Sequence, residues 1–124
     1  MQNVRIYTGS DGETHFEDLE MKLEEVNFAP PAPPVLLSEA NAATQWMYFA
    51  IPAGWVGDWH PTPKRQAFFY LVGEVEIEVG DGEVRRFGPG DACIVEDTTG
   101  KGHRSQTVGD VTALQVCVQM TEAE

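Results

Sequence analysis

Two histidines are the side chains of this sequence best suited to chemistry. His60 follows the turn-forming residues 57–59, and His103 follows the glycine-flanked residues 100–102. Imidazole exchanges protons near neutral pH, and its neutral form is a common ligand of transition metals. The pair therefore predicts either acid–base catalysis or metal binding, provided that the fold brings the two segments together.

Side-chain alternation indicates which residues would accompany these histidines. Neighbouring side chains on a strand point to opposite faces, so residues two positions apart share a face. Three such sets are Asp58, His60 and Thr62; Gln66, Phe68, Tyr70 and Val72; and His103, Ser105 and Thr107. If these faces meet, we expect a cavity wall that combines imidazole, amide, hydroxyl and aromatic groups.

Two longer segments around the histidines resemble the two signature motifs of the cupin superfamily. The first spans residues 57–74 and the second residues 88–103. The interval of seven positions from Gln66 to Gly73 also matches the family's spacing. The resemblance extends over residues 44–118. It implies an all-β, single-domain cupin fold, which is a double-stranded β-helix or jelly-roll barrel, here with an N-terminal arm.

The resemblance further implies a site for one divalent transition metal ion (Zn, Ni, Fe or Mn). Cupins usually supply two histidines and a carboxylate from the first motif and one histidine from the second. The matching residues here are His60, Thr62, Gln66 and His103, so the ligands would be His60, Gln66 and His103. Threonine is a poor ligand, and an amide lacks the charge of a carboxylate. The alternative is two neutral, hydrogen-bonded cavity histidines; no organic cofactor is expected.

The N-terminal part of the chain offers a further ligand. If it folds over the barrel mouth of its own or a partner subunit, His15 or Glu17 would join the site. A histidine within a run of acidic residues is also typical of a protein surface, which is the alternative interpretation.

Charged residues near His103 each allow two interpretations. Glu96 and Asp97 either orient His103 or act as a general acid, or they are solvated loop carboxylates or turn caps. Lys101 and Arg104 either bind an acidic group of a ligand or pair with the protein's own carboxylates.

Aromatic residues are expected to shape the cavity. Tyr70 either assists catalysis or belongs to the core or cavity wall, and Trp59 is assigned to the core or cavity wall. Trp46, Tyr48 and Trp55 are predicted to add an aromatic lining that suits a small, partly apolar ligand.

Alternating apolar residues and closely spaced turns predict an all-β chain without helices. Residues 44–51 are apolar on both faces and are expected to form a central, doubly covered strand. Residues 19–24 alternate and predict a strand with one buried face, with a helix as the rival interpretation. The other expected strands are 4–7, 68–72, 74–79, 83–87, 92–96, 103–107 and 111–120.

The proline-rich residues 30–34 predict an extended strap. We therefore divide the chain into an N-terminal arm and strap over residues 1–34 and a cupin β-barrel over residues 35–124. The length of 124 residues fits one domain with its own core.

Composition limits the possible partners. With 8 basic and 20 acidic residues the net charge is −12, so neither nucleic acid nor an anionic membrane is expected as a partner. No apolar run is long enough to span a bilayer, and residues 1–5 lack the apolar stretch of a signal peptide. Cys93 and Cys117 lie in apolar runs and are expected to be reduced thiols of a cytoplasmic protein, with a disulfide as the alternative.

Two functions fit these observations. The first is an isomerase, lyase or cyclase for a small oxygenated compound, in which a metal or a histidine is the acid–base group and His60, His103 and Tyr70 are catalytic. The second is a cupin module that binds a small molecule without converting it. The resemblance also implies a homodimer, formed through sheet faces and exchanged N-terminal strands.

Overall fold

The computed structural model describes residues 1–122, which form eleven strands and no helix. The strands are β1 (Asn3–Thr8), β2 (Thr14–Asp18), β3 (Glu24–Val26), β4 (Val35–Leu37), β5 (Ala43–Ile51), β6 (Gln66–Val72), β7 (Val75–Glu78), β8 (Val84–Phe87), β9 (Ala92–Val95), β10 (Arg104–Thr107) and β11 (Ala113–Met120). The prediction of an all-β chain is confirmed.

The strands form three sheets. The largest has six strands in the order β2-β1-β9-β6-β11-β5, the second has the order β10-β7-β8, and the third is the hairpin β3-β4. All pairs are antiparallel except β1 with β9, which run parallel. The two larger sheets are the two layers of the barrel.

Apolar side chains from the two larger sheets form one buried core. In β7, Val75 and Ile77 are buried while the alternate residues Glu76 and Glu78 turn outward. This alternation is the pattern expected of a sheet with one covered face. The other fully or nearly fully buried members include Val4, Ile6, Val79, Phe87, Cys93 and Val95.

The expectation of a central strand at residues 44–51 is wrong. β5 lies at the edge of the six-stranded sheet, and Trp46 and Tyr48 on its outer face are 62% and 68% exposed. An apolar sequence on both faces is typical of a doubly covered strand, but an edge strand with an apolar outer face has the same sequence pattern.

The N-terminal residues are integral to the main sheet. β1 pairs with both β2 and β9, and its residues Val4 and Ile6 are fully buried. The buried strand predicted at residues 19–24 is wrong, because residues 20–24 are exposed and only Glu24 enters a strand. The proline-rich segment lies in the connection between β3 and β4. Its residues 29–32 form a turn, in which the Ala32 N–H donates to the Ala29 carbonyl at 2.9 Å, so the extended strap predicted here is wrong. The division of the chain at residue 34 stays a prediction.

Both cysteines are free and buried, as predicted. Burial raises the pKa of the Cys93 thiol, and it also raises the pKa of the Cys117 thiol. These thiols are therefore protonated at neutral pH and contribute as small apolar side chains.

Candidate functional site

The backbone joins the two histidines directly. The His60 N–H donates to the His103 carbonyl at 3.0 Å, and the His103 N–H donates to the His60 carbonyl at 3.1 Å. The two imidazole rings lie 4.9 Å apart between centroids, with planes inclined by 53°. The fold thus brings together the two segments whose meeting the sequence predicted.

A glycine makes this close approach possible. Gly102 has a φ of +79°, and a Cβ atom at this position would collide with the His60 backbone. The Thr14 hydroxyl also donates to the Gly102 carbonyl at 2.7 Å, and this hydrogen bond ties the turn to β2. Only glycine combines this backbone conformation with the missing side chain.

His103 is held by a buried carboxyl group. The distance between His103 Nδ1 and Asp97 Oδ2 is 2.6 Å, and Asp97 is fully buried. An ionised Asp97 can only accept, and with it Nδ1 carries the proton of this hydrogen bond while Nε2 is left free. The interpretation of Asp97 as a solvated loop residue is wrong, because the chain folds this loop against Thr62, whose N–H donates to the Asp97 carbonyl at 3.0 Å.

His60 has the same tautomer for a different reason. Its Nδ1 lies 2.8 Å from the Asp58 main-chain carbonyl oxygen, which can only accept. Nδ1 is therefore protonated, and Nε2 of neutral His60 is also a free base. Neither Nε2 has a hydrogen-bond partner within residues 1–122.

Both histidines line a cavity of about 320 Å³. This volume is at the lower end of the range for small-molecule sites. Among residues 1–122, no Asp, Glu, Lys or Arg belongs to the lining. It consists of Phe49, Ile51, Trp55, His60, Thr62, Pro63, Gln66, Phe68, Tyr70, Val75, Ile77, Val95, His103, Ser105 and Gln115.

A family model described as a cupin domain matches residues 47–118. The chain belongs to the cupin family. The match spans both histidine segments and the strands that carry most of the cavity wall. No curated protein matches this cupin significantly. Residues 1–122 contain no helix that is long and apolar enough to cross a membrane.

Members of the cupin family often bind a metal ion, and the donor set of this cupin does not fit one. Gln66 Oε1 already accepts from Gln119 Nε2 at 3.2 Å and from Cys117 Sγ at 3.3 Å. The Thr62 hydroxyl donates to the Lys64 carbonyl at 2.7 Å. No group of three or more His, Cys, Asp or Glu side chains with metal-site geometry occurs among the described residues. Two imidazoles are fewer than the three protein ligands of a catalytic zinc site.

The N-terminal residues do not supply the missing ligand. His15 Nδ1 lies 2.8 Å from Asp81 and His15 Nε2 lies 3.0 Å from Asp11. Glu17 pairs with Arg5 at 3.1 Å. Because β2 alternates, His15 and Glu17 point away from the cavity while their neighbours Thr14 and Phe16 are buried. Within one chain His15 and Glu17 therefore lie outside the cavity, as the surface interpretation predicted. A contribution from a partner subunit stays a prediction.

Tyr70 lies on the cavity wall and is 5% exposed. Its ring stacks on Phe87 with a centroid distance of 5.4 Å. Burial raises the pKa of the Tyr70 hydroxyl well above its ordinary value, so the group is a proton-bearing donor at neutral pH. The hydroxyl has no hydrogen-bond partner in the part of the chain that the structure describes, which leaves it available to a ligand.

Several expected neighbours lie elsewhere. Trp55 lines the cavity as predicted, whereas Trp46 and Tyr48 lie on the outer face of β5. Side-chain alternation also assigned Asp58, Val72 and Thr107 to the cavity wall, and these three residues do not line the cavity.

The charged residues around His103 have structural partners. Glu96 bridges Arg65 at 2.6 Å and Arg5 at 3.4 Å, so it does not orient His103. Arg104 pairs with Glu78 at 2.7 Å. Lys101 Nζ lies 3.9 Å from the centre of the Trp59 ring, which does not line the cavity. Lys101 and Arg104 therefore serve the protein's own packing rather than a ligand in this cavity.

Sequence reasoning missed Gln115. This residue is 2% exposed and lines the cavity from β11. Its available signal was a polar side chain at an inward position of an otherwise apolar strand, between Ala113 and Cys117.

Proposed function

We propose that this cupin is an enzyme that moves a proton within a small, uncharged, oxygenated compound. His103 is the acid–base group and Asp97 is its positioning residue. The observation that carries the proposal is the 2.6 Å contact between His103 Nδ1 and the fully buried Asp97, behind an imidazole that faces an apolar cavity. Many isomerase, lyase and cyclase reactions begin with such a proton transfer.

The chemistry follows from the free atoms of the site. His103 Nε2 removes a proton from the carbon next to a carbonyl group, and the electron pair of that C–H bond moves onto the carbonyl oxygen. The Tyr70 hydroxyl donates a hydrogen bond to this oxygen, since the raised pKa keeps the hydroxyl protonated. Protonated His103 then returns the proton to a different carbon that shares the charge of this enolate, as the γ-carbon of a β,γ-unsaturated ketone does. The C=C double bond moves into conjugation as the carbonyl group re-forms, which completes an isomerisation. His60 Nε2, on a ring 4.9 Å away, is a second hydrogen-bond acceptor beside the reacting carbon.

The uncharged lining favours a neutral substrate. A charged ligand would lose its hydration in this cavity without gaining an ion pair from the lining residues. The apolar majority of the lining instead favours a compact carbon skeleton that carries one or two oxygen atoms.

Exchange of hydrogen for deuterium next to a ketone tests the proposal. Cyclohexanone in D₂O is followed by proton NMR, with and without the protein. We expect acceleration that falls by roughly 10²-fold or more in His103→Gln and by about 10- to 100-fold in Asp97→Asn. His15→Gln, which removes a histidine outside the cavity, is the matched control and should exchange at the native rate.

Two other results would decide against the proposal. Cyclohexanone that binds without accelerated exchange would indicate the alternative function, a cupin module that binds a small molecule without converting it. Thr62 and Gln66, which stand where the family usually has metal ligands, favour this alternative. Exchange that is abolished by a chelator and restored by Zn, Ni, Fe or Mn would indicate a metal at His60, Gln66 and His103 instead.

The outer surface supports a homodimer as a second part of the proposal. Outward residues of β5, β6 and β11 carry no charged side chain. The exposed or half-buried ones are Thr44, Trp46, Tyr48, Ala50, Phe69, Leu71, Leu114, Val116 and Val118, and the buried Ala67 lies on the same face. Exposed apolar patches of this extent are typical of interaction sites. We assign this face to a second copy of the chain.

The hairpin β3–β4 is the complementary element. An isolated two-stranded hairpin is marginally stable in water, yet the exposed side chains of this one include Phe28 at 68% and Leu36 at 61%. A two-fold dimer in which each hairpin covers the apolar face of the other copy would bury both surfaces twice.

A further inference from the structure

Trp55 is an aromatic residue of the cavity wall that a ligand can reach. It lines the cavity and is 38% exposed. Its N–H donates to the Pro52 carbonyl at 3.1 Å, which closes the turn over residues 52–55, and its carbonyl accepts from the Thr107 N–H at 3.1 Å. The Thr107 hydroxyl donates to the Pro52 carbonyl at 2.8 Å. The backbone that carries this indole is therefore fixed at both ends of the turn to β10, the strand that follows His103.

Gly57 makes room for the indole ring. A Cβ atom at Gly57 would lie 2.8 Å from Trp55 Cζ3 and 3.0 Å from Trp55 Cζ2, and closer still to Cη2. Gly57 is not among the glycines with a positive φ, so a left-handed backbone does not require glycine here and the ring does. Gly57 is tied to the same strand, because its N–H donates to the Ser105 carbonyl at 2.8 Å. It is therefore the positioning residue of Trp55.

The six-stranded sheet supplies an aromatic surface from the other layer of the barrel. Phe49, in β5, lines the cavity and is 38% exposed. Its ring meets that of Phe68, in β6, edge-on at a centroid distance of 5.3 Å. Aromatic rings bury large apolar areas and prefer stacked or edge-on contacts with other rings. A flat ligand can therefore contact aromatic side chains from both layers, whereas groups that project from its plane compete with these side chains for space.

We propose that Trp55 is the specificity-determining residue of this cavity and that it selects flat, ring-bearing ketones over ketones with groups that project from the ring plane. The inference rests on the proposed function for the ketone group. It goes beyond that function by naming the shape of the carbon skeleton, the residue that selects it and the glycine that positions this residue.

Protein NMR tests whether such a ketone reaches the indole. The three tryptophans give three indole N–H resonances, which are assigned with Trp46→Phe, Trp55→Phe and Trp59→Phe. We expect 1-indanone to shift the resonance of Trp55 and to leave that of Trp46, on the outer face of β5, unchanged. A titration in which 1-indanone does not bind, or binds without moving the Trp55 resonance, would overturn the proposal.

Selectivity for shape is the second test. The probes are 1-indanone and 3,3-dimethyl-1-indanone, which share a flat skeleton and differ by two methyl groups that project from its plane. We expect the native protein to bind 1-indanone more tightly. In Trp55→Ala the ratio of the two dissociation constants should move by about tenfold or more toward the dimethyl compound, because the truncated side chain leaves room for the methyl groups. Since both constants are measured on one variant, a general loss of stability cancels in the ratio, and an unchanged ratio would overturn the proposal.

The role of Gly57 is tested by combining substitutions. Gly57→Ala should change the ratio in the native protein, because the added methyl group displaces the indole ring, but should change nothing in Trp55→Ala, where no ring is left to displace. Gly88→Ala is the matched control, since a Cβ atom there would meet its nearest atom at 3.6 Å, and it should keep the native ratio. Equal effects of Gly57→Ala with and without Trp55 would refute the positioning role. These measurements need binding alone, whereas proton transfer by His103 is measured with cyclohexanone, so failure of the specificity and failure of the proposed reaction are distinguishable.

Discussion

At the scale of the residue, three histidines of one chain have three different surroundings. His103 is held by a buried carboxyl group and His60 by a main-chain carbonyl, and both present Nε2 to the cavity. His15 lies between two carboxylates, Asp11 and Asp81, on the outside of the sheet. Residue type alone therefore could not tell that His60 and His103 line the cavity whereas His15 lies on the outside of the sheet.

His15 makes stability depend on pH. The hydrogen bond of His15 with Asp11, and to a smaller extent the one with Asp81, raises the pKa of His15 above its ordinary value of 6.5. The stabilisation is therefore fully present below about pH 6.5, the unfolded value, and is lost as the pH rises through the higher pKa of the folded state. We expect the melting temperature of the native protein to fall relative to that of His15→Gln as the pH rises from about 6 to 8.

High salt is the control for this prediction, because exposed ion pairs are screened. In 1 M salt the difference between the native protein and His15→Gln should depend less on pH than in dilute buffer. If the melting temperatures of the native protein and of His15→Gln change in parallel with pH in dilute buffer, the contacts of His15 with Asp11 and Asp81 contribute nothing to stability in solution.

At the scale of the element, alternating apolar and polar residues predicted where the strands lie, but not which strands pair with each other. Val75, Ile77 and Val79 alternate with acidic residues and form a strand and its end as expected. The edge position of β5 could not be predicted, because strand order depends on pairing with residues distant in sequence. Asp97 lies in a loop, where no periodicity says which side chain is buried.

The turn before β10 is the element that positions the site. Gly102 has a φ of +79° and would collide with the His60 backbone if it carried a side chain. We expect Gly102→Ala to lower the free energy of unfolding by roughly 3 kcal/mol or more, because backbone strain and a collision add. Urea denaturation measures this change.

Gly109 supplies the matched control for the turn. It has a similar φ of +76°, but a Cβ atom there would meet nothing within 4 Å. Gly109→Ala should therefore lower the free energy of unfolding by only about 1–2 kcal/mol, which is the cost of placing alanine in this left-handed backbone conformation. Equal losses in Gly102→Ala and Gly109→Ala would mean that the close approach of the histidine segments is not held by this glycine.

At the scale of the whole molecule, charge and apolar surface are segregated. The outer face of the sheet is charged at β1 and β2, where Arg5 pairs with Glu17. It is uncharged at β5, β6 and β11, where Trp46 and Tyr48 are exposed. With a net charge of −12, two copies repel each other at long range, and this repulsion opposes association least through a surface without acidic side chains.

The proposed dimer is tested by mass in solution. Light scattering at low micromolar concentration should give twice the 13.7 kDa mass of the chain. Tyr48→Glu on the sheet face and Phe28→Glu near the hairpin should each give monomers, since a buried carboxylate without a partner costs several kcal/mol. Val84→Glu, at an exposed valine on the other sheet, should remain dimeric. A monomeric native protein would refute the dimer, and a dimer that survives both Tyr48→Glu and Phe28→Glu would place its interface on another surface.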